Sequence, residues 1–96
     1  MDISIERCEF EKKRNGEDAF EIESGIEDGL TKEGEREDGK VLLYRVEKET
    51  PLFRVDILWN IKLEGDEQDL SEDQIETMVK SNLAVVGSYE ISHYLS

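Results

Sequence analysis

Ninety-six residues carry a formal net charge of −13, from 25 Asp and Glu against 12 Lys and Arg. A chain of this length has room for one hydrophobic core and not two, and at 36% hydrophobic against 39% charged residues that core must be concentrated in a few well-patterned segments. The acidic excess argues against direct binding to DNA, RNA or an anionic membrane, because only the run Lys12-Lys13-Arg14 is available to displace counterions.

The first segment, Ile3 to Lys13, places Ile3 and Ile5 on one parity and Cys8 and Phe10 on the other. A strand with one extra residue near Arg7 brings all four onto a single buried face. Cys8 is the only cysteine, so no intrachain disulfide can form, and its place in a strand fits a small buried hydrophobe rather than a nucleophile. Asn15-Gly16 then reads as a turn, and Phe20, Ile22, Ser24 and Ile26 alternate with polar residues as a thinly apolar second strand. Residues 27–40 are charged and hold Gly29, Gly34 and Gly39, which reads as a mobile charged loop or an extended hairpin tip.

Val41-Leu42-Leu43-Tyr44-Arg45-Val46 is an apolar run of strand length, closed by Thr50-Pro51 because proline removes a ladder donor. The clearest signal follows. Phe53, Val55, Ile57, Trp59, Ile61 and Leu63 alternate without a miss against Arg54, Asp56, Leu58, Asn60, Lys62 and Glu64, which defines a long strand with Trp59 in its core stripe. After a polar connection, Gly65 to Asp69, Ser71 and Gln74 have the spacing of a capping box, and Glu72 and Asp73 suit the positive end of a helix dipole. Ile75, Met78, Val79, Leu83, Val86, Ile91 and Leu95 then fall on or near one helical stripe, so the helix runs to about Tyr94. Gly87 either lets that helix approach the sheet closely or marks a kink.

Strands with no helix between them connect as hairpins, so the sheet is antiparallel. The expected fold is α+β: one domain spanning residues 1–96, with about four antiparallel strands followed by one long amphipathic helix packed on one face. The start Met1-Asp2-Ile3-Ser4-Ile5 lacks the basic and apolar regions of a signal peptide and no apolar run has membrane-spanning length, so the expected location is cytoplasmic.

No constellation points to catalysis, a cofactor or a metal. The single histidine, His93, sits where a last helical turn would expose it. The acidic residues Glu64, Asp66, Glu67, Asp69, Glu72 and Asp73 lack the spacing of a calcium loop and read as a solvated approach to a helix N-terminus. The reading is therefore of a binding protein and not an enzyme. Leu42 and Leu58 are taken to break the parity of their strands. With Tyr44 and Val46 they suggest an apolar patch on the second face of the sheet, so Leu42, Tyr44 and Leu58 are the candidate protein-contact residues.

The stretch Ile57-Leu58-Trp59-Asn60-Ile61-Lys62-Leu63-Glu64-Gly65, followed by Leu70 and then by Asn82-Leu83-Ala84-Val85-Val86-Gly87-Ser88-Tyr89-Glu90-Ile91-Ser92, resembles the SecB-like family of protein-export chaperones. The start, Cys8-Glu9-Phe10-Glu11-Lys12, is weakly similar to that family's first strand. Where family members carry an aromatic-proline-tyrosine sequence followed by arginine, this chain keeps only Tyr89, and it is shorter than typical members. The resemblance implies a four-stranded antiparallel sheet with a helix across it, association into a homo-oligomer, and non-native polypeptide held on exposed apolar surface. The expected partner is thus a protein or an unfolded polypeptide. The alternative that the charge suggests is a small acidic inhibitor of phage or mobile-element type, which binds a basic host protein by mimicking nucleic acid.

Overall fold

The alternation from Phe53 to Leu63 becomes the spine of the molecule. In a computed structural model that describes residues 1–13, 29–51 and 53–95, the side chains of residues 91, 92, 94 and 95 excepted, four strands form one antiparallel sheet. They are β1 (Asp2–Lys12), β2 (Leu30–Arg36), β3 (Val41–Glu49) and β4 (Phe53–Lys62), in the spatial order β1-β4-β3-β2. A single long helix, α1 (Glu72–Leu95), follows them. The strand with the most regular pattern therefore sits inside the sheet, where both of its edges are paired and a period-two sequence is most strongly selected.

The bulge expected in β1 is present. Ile5 pairs with Trp59 and Arg7 with Leu58, so Glu6 is the extra residue. On one side of it Ile3 and Ile5 stand opposite Ile61 and Trp59, and on the other Cys8 and Phe10 stand opposite Ile57 and Val55. Since directly opposed residues of an antiparallel pair share a face, all four point to the core side. Phe10 also stacks on Phe53, with ring centroids 5.8 Å apart.

The expected strand from Ala19 and the Asn15-Gly16 turn lie outside the described residues. Of the charged stretch 27–40, read as a mobile loop or an extended hairpin tip, Leu30 to Arg36 form β2, the first arm of a hairpin with β3. Its composition hid it because only Leu30 in it is buried, and among the described strands it is paired along one side alone. The β2–β3 connection is tight: Glu37, Asp38 and Gly39 have φ of 53°, 56° and 87°, and Lys40 N–H donates to the Glu37 carbonyl at 3.2 Å. Asp38-Gly39 supplies the left-handed backbone that such a hairpin needs.

Across β3 and β4, Leu42 pairs with Ile61, Tyr44 with Trp59 and Val46 with Ile57. These residues, together with Leu30, Phe53, Val55 and Leu63, form the sheet side of one hydrophobic core, whose helix side is Val79 and Leu83. Full burial of each such side chain contributes about 1.5–3 kcal/mol, so this cluster is what holds α1 down. The capping box forms as read: Gln74 N–H donates to Ser71 Oγ at 3.3 Å and Ser71 N–H to Gln74 Oε1 at 3.1 Å. A second reciprocal pair, Glu64 with Glu67, closes the short 3-10 turn Gly65–Asp69 that leads into it. Gly87 is buried within an unbroken helix, which fits close approach rather than a kink.

No described helix is long and apolar enough to cross a membrane.

Candidate protein-contact surfaces

Register decides which side chains are free to touch a partner. Leu42 and Tyr44 are 4% and 3% exposed, on the helix face, so they do not join Leu58 on the second face. The expectation grouped them by parity within each strand, but pairing places Leu43, not Leu42, near Leu58: Leu43 lies opposite Asn60, and Arg45 opposite Leu58. Of the three candidates only Leu58 lies on the second face, half-buried, with Val41 and Leu43 as its half-buried apolar companions there.

That second face is organised by ion pairs. Arg45 grips Asp56 with both arms of its guanidinium, Nε donating to Oδ1 at 2.9 Å and Nη2 to Oδ2 at 2.7 Å. Arg7 Nη2 stands 3.7 Å from the same carboxylate, and Arg45 Nη2 is also 3.2 Å from Glu47 Oε2. The hydrogen bonds from Arg45 hold the Asp56 carboxyl below the usual carboxylate range despite its burial, and the same contact raises Arg45 further above its ordinary value. Farther along, Arg36 reaches from β2 over the face to Glu6 on β1, at 3.0 Å, and to Asn60 on β4, at 3.5 Å. Arg36 stands opposite Val41 in the ladder, so it lies on the same side of the sheet as Val41 and Leu43.

A different apolar surface was not anticipated. Tyr89 is 81% exposed, Val85 69% and Val86 36%, all on α1 beyond Leu83, and Ile5 at the β1 edge is 39% exposed. Val79 and Leu83 are the buried large apolar side chains of α1 among those described, so the apolar residues that follow them lie outside the core. The signal was available: Val85 and Tyr89 are spaced i, i+4, on a stripe apart from Val79 and Leu83.

A cleft of about 270 Å³ opens where β2 and β3 meet the first turns of α1, lined by Lys32, Glu35, Gly39, Leu42, Tyr44, Glu72, Ile75 and Glu76. Burial, with the nearby Glu76 carboxylate, raises the Tyr44 phenol above its ordinary value. Glu76 is held low by its 2.8 Å pair with Lys80, and Lys32 pairs with Glu35 at 3.2 Å.

The remaining sequence candidates fall as follows. Trp59 is wholly buried in the core, and its indole Nε1–H meets no acceptor among the described residues. Cys8 is half-buried against the core, and His93 is exposed in the last turn of α1. No three described His, Cys, Asp or Glu residues are placed to hold a metal ion.

No protein-family model, curated protein or solved structure matches the chain.

Proposed function

We propose that this chain is a protein-binding module, a SecB-like chaperone or adaptor that holds non-native polypeptide. The observation that carries the reading is the apolar surface of Val85, Val86 and Tyr89 beyond the end of the core. Contiguous apolar side chains left in water by a chain this acidic are costly unless something covers them, and an extended, partly apolar polypeptide is the kind of partner they fit. The sheet-then-helix architecture is the one the family resemblance implies, and the high net charge keeps such a surface soluble while it is empty.

An aggregation-suppression assay with a chemically unfolded test client checks this directly. Wild-type protein should protect the client, and a Val85→Ser, Tyr89→Ser variant with unchanged circular dichroism should not. No protection at several-fold molar excess of wild type would remove the chaperone reading. Light scattering on the same samples reports whether the module works as a homo-oligomer. Recovery of a basic, nucleic-acid-binding protein at low salt and its loss at high salt would instead support the mimicry alternative.

A further inference from the structure

We propose that the outward stripe of α1 from Met78 to Tyr89 is covered by a second copy of this chain, in an antiparallel, two-fold pair of helices centred on Val85. The pairing shares its surface with the proposed function and stands without it, because it concerns the protein with no client present.

Charge selects the occupant. The chain is 39% charged, yet Glu90 is the only Asp, Glu, Lys or Arg from Ser81 onward, and it is half-buried. One turn upstream, Glu76 and Lys80 pair with each other at 2.8 Å. Met78, Asn82, Val85 and Tyr89 follow the alternating four-three spacing of a helix-pairing seam, on a different side of α1 from the buried Val79 and Leu83. Two chains at −13 repel each other over most of their surface, and along this seam they can approach without bringing like charges together. A basic partner gains nothing here, since the seam offers it no carboxylate.

Shape agrees with charge. A two-fold axis at Val85 sets Tyr89 of each copy against Ser81 of the other, and Ser88 against Asn82, so a large side chain faces a small one. A shallow depression of about 520 Å³ opens on this flank of the helix, lined by Asp73, Gln74, Thr77, Met78, Ser81 and Asn82. The Tyr89 ring of the second copy lands at its Ser81 end. Asp73, its one charged wall, stands about 12 Å along the axis from Ser81. Val85 and Tyr89, 69% and 81% exposed in the single chain, leave water in both copies at once.

Sedimentation velocity on the full chain across a concentration series, with no client added, tests the pairing. A monomer–dimer equilibrium with a dissociation constant of about 10 μM is expected, as suits a small interface. Added salt should tighten it several-fold, because the contacts are uncharged and only the long-range repulsion is screened. Val85→Glu places two carboxylates together at the axis and should weaken the dimer by about tenfold or more. Ser81→Glu and Tyr89→Lys should each weaken it, and the double variant should recover most of the loss, since each new charge then faces its opposite in the other copy. Positions eight residues apart do not meet within one helix, so that recovery reports the antiparallel contact. Circular dichroism checks that each variant is folded. A chain that stays monomeric up to about 1 mM, a dimer that Val85→Glu leaves intact, or a double variant no better than the single ones would overturn the proposal. Dimers that fail to protect a client count against the chaperone reading alone, and monomers that protect one count against this pairing alone.

Discussion

The two faces of the sheet are built from the same four strands and are held by different physics. On the face beneath α1, Trp59, Ile57, Ile61, Leu42, Tyr44 and Val46 interlock with Val79 and Leu83, and the contacts are apolar. On the other, Arg45, Asp56, Arg7, Arg36 and Glu6 tie the strands together across half-buried Val41, Leu43 and Leu58. The helix supplies the difference. Where it lies, stability comes from area removed from water, and where it is absent the strands rely on charged groups whose desolvation nearly offsets their attraction. Neighbouring residues of one strand can therefore differ greatly in what they contribute.

The sharpest test compares Trp59 with its neighbour Leu58. Trp59→Ala removes a wholly buried side chain at the centre of the core and should cost about 3–5 kcal/mol, measured by urea unfolding with far-ultraviolet circular dichroism. Trp59→Phe should cost clearly less, because it also removes an indole N–H that is buried without an acceptor. Next in size, Asp56→Ala should destabilise by about 1–3 kcal/mol, since Arg45 loses both of its charged hydrogen bonds.

That loss depends on pH. The Asp56 carboxyl is depressed in the folded chain, so its stabilising effect is complete above the unfolded carboxylate value of about 4 and is lost as pH falls through the lower folded value. The stability gap between wild type and Asp56→Asn should thus be widest near neutrality and close in acid. A gap of the same size at neutral and at acid pH would show that the pair stabilises through packing rather than charge. Ser71→Ala, which removes the cap that starts α1, should cost about 1 kcal/mol. The smallest effect is expected for Leu58→Ala, below about 1 kcal/mol, because that side chain is only half-buried on the open face. A Leu58→Ala cost close to that of Trp59→Ala would mean that the second face is covered in solution.

Much of the covered face was legible in the sequence, and little of the open one. The β4 stripe, the parity switch in β1 and the Ser71-Gln74 cap each rest on a local rule whose evidence lies within a few residues. β3 was ambiguous because Val41 and Leu43 are apolar on one parity while Leu42, Tyr44 and Val46 are apolar on the other. Only pairing with β4 resolves them, and pairing is a long-range fact. β2 was missed because a strand with one buried side chain has no hydrophobic period to read. The Asp38-Gly39 dipeptide ahead of the Val41 run was the available hairpin signal. The Arg45–Asp56 grip and the Tyr44 cleft join residues from separate elements, so no spacing along the chain encodes them.

The extra residue at Glu6 has a consequence for how β1 can change over time. Residues 2–5 and 7–12 follow the same two-residue rhythm but out of step, and Glu6 is the splice between them. Loss of that one residue would leave every remaining side chain chemically intact and still put one half of the strand upside down, with either Ile3 and Ile5 or Cys8 and Phe10 turned to water. The strand is therefore sensitive to counting as well as to composition. Substitutions at Glu6 should be absorbed readily, single-residue insertions or deletions within β1 should not, and a deletion of Glu6 compensated by an insertion nearby should restore the fold.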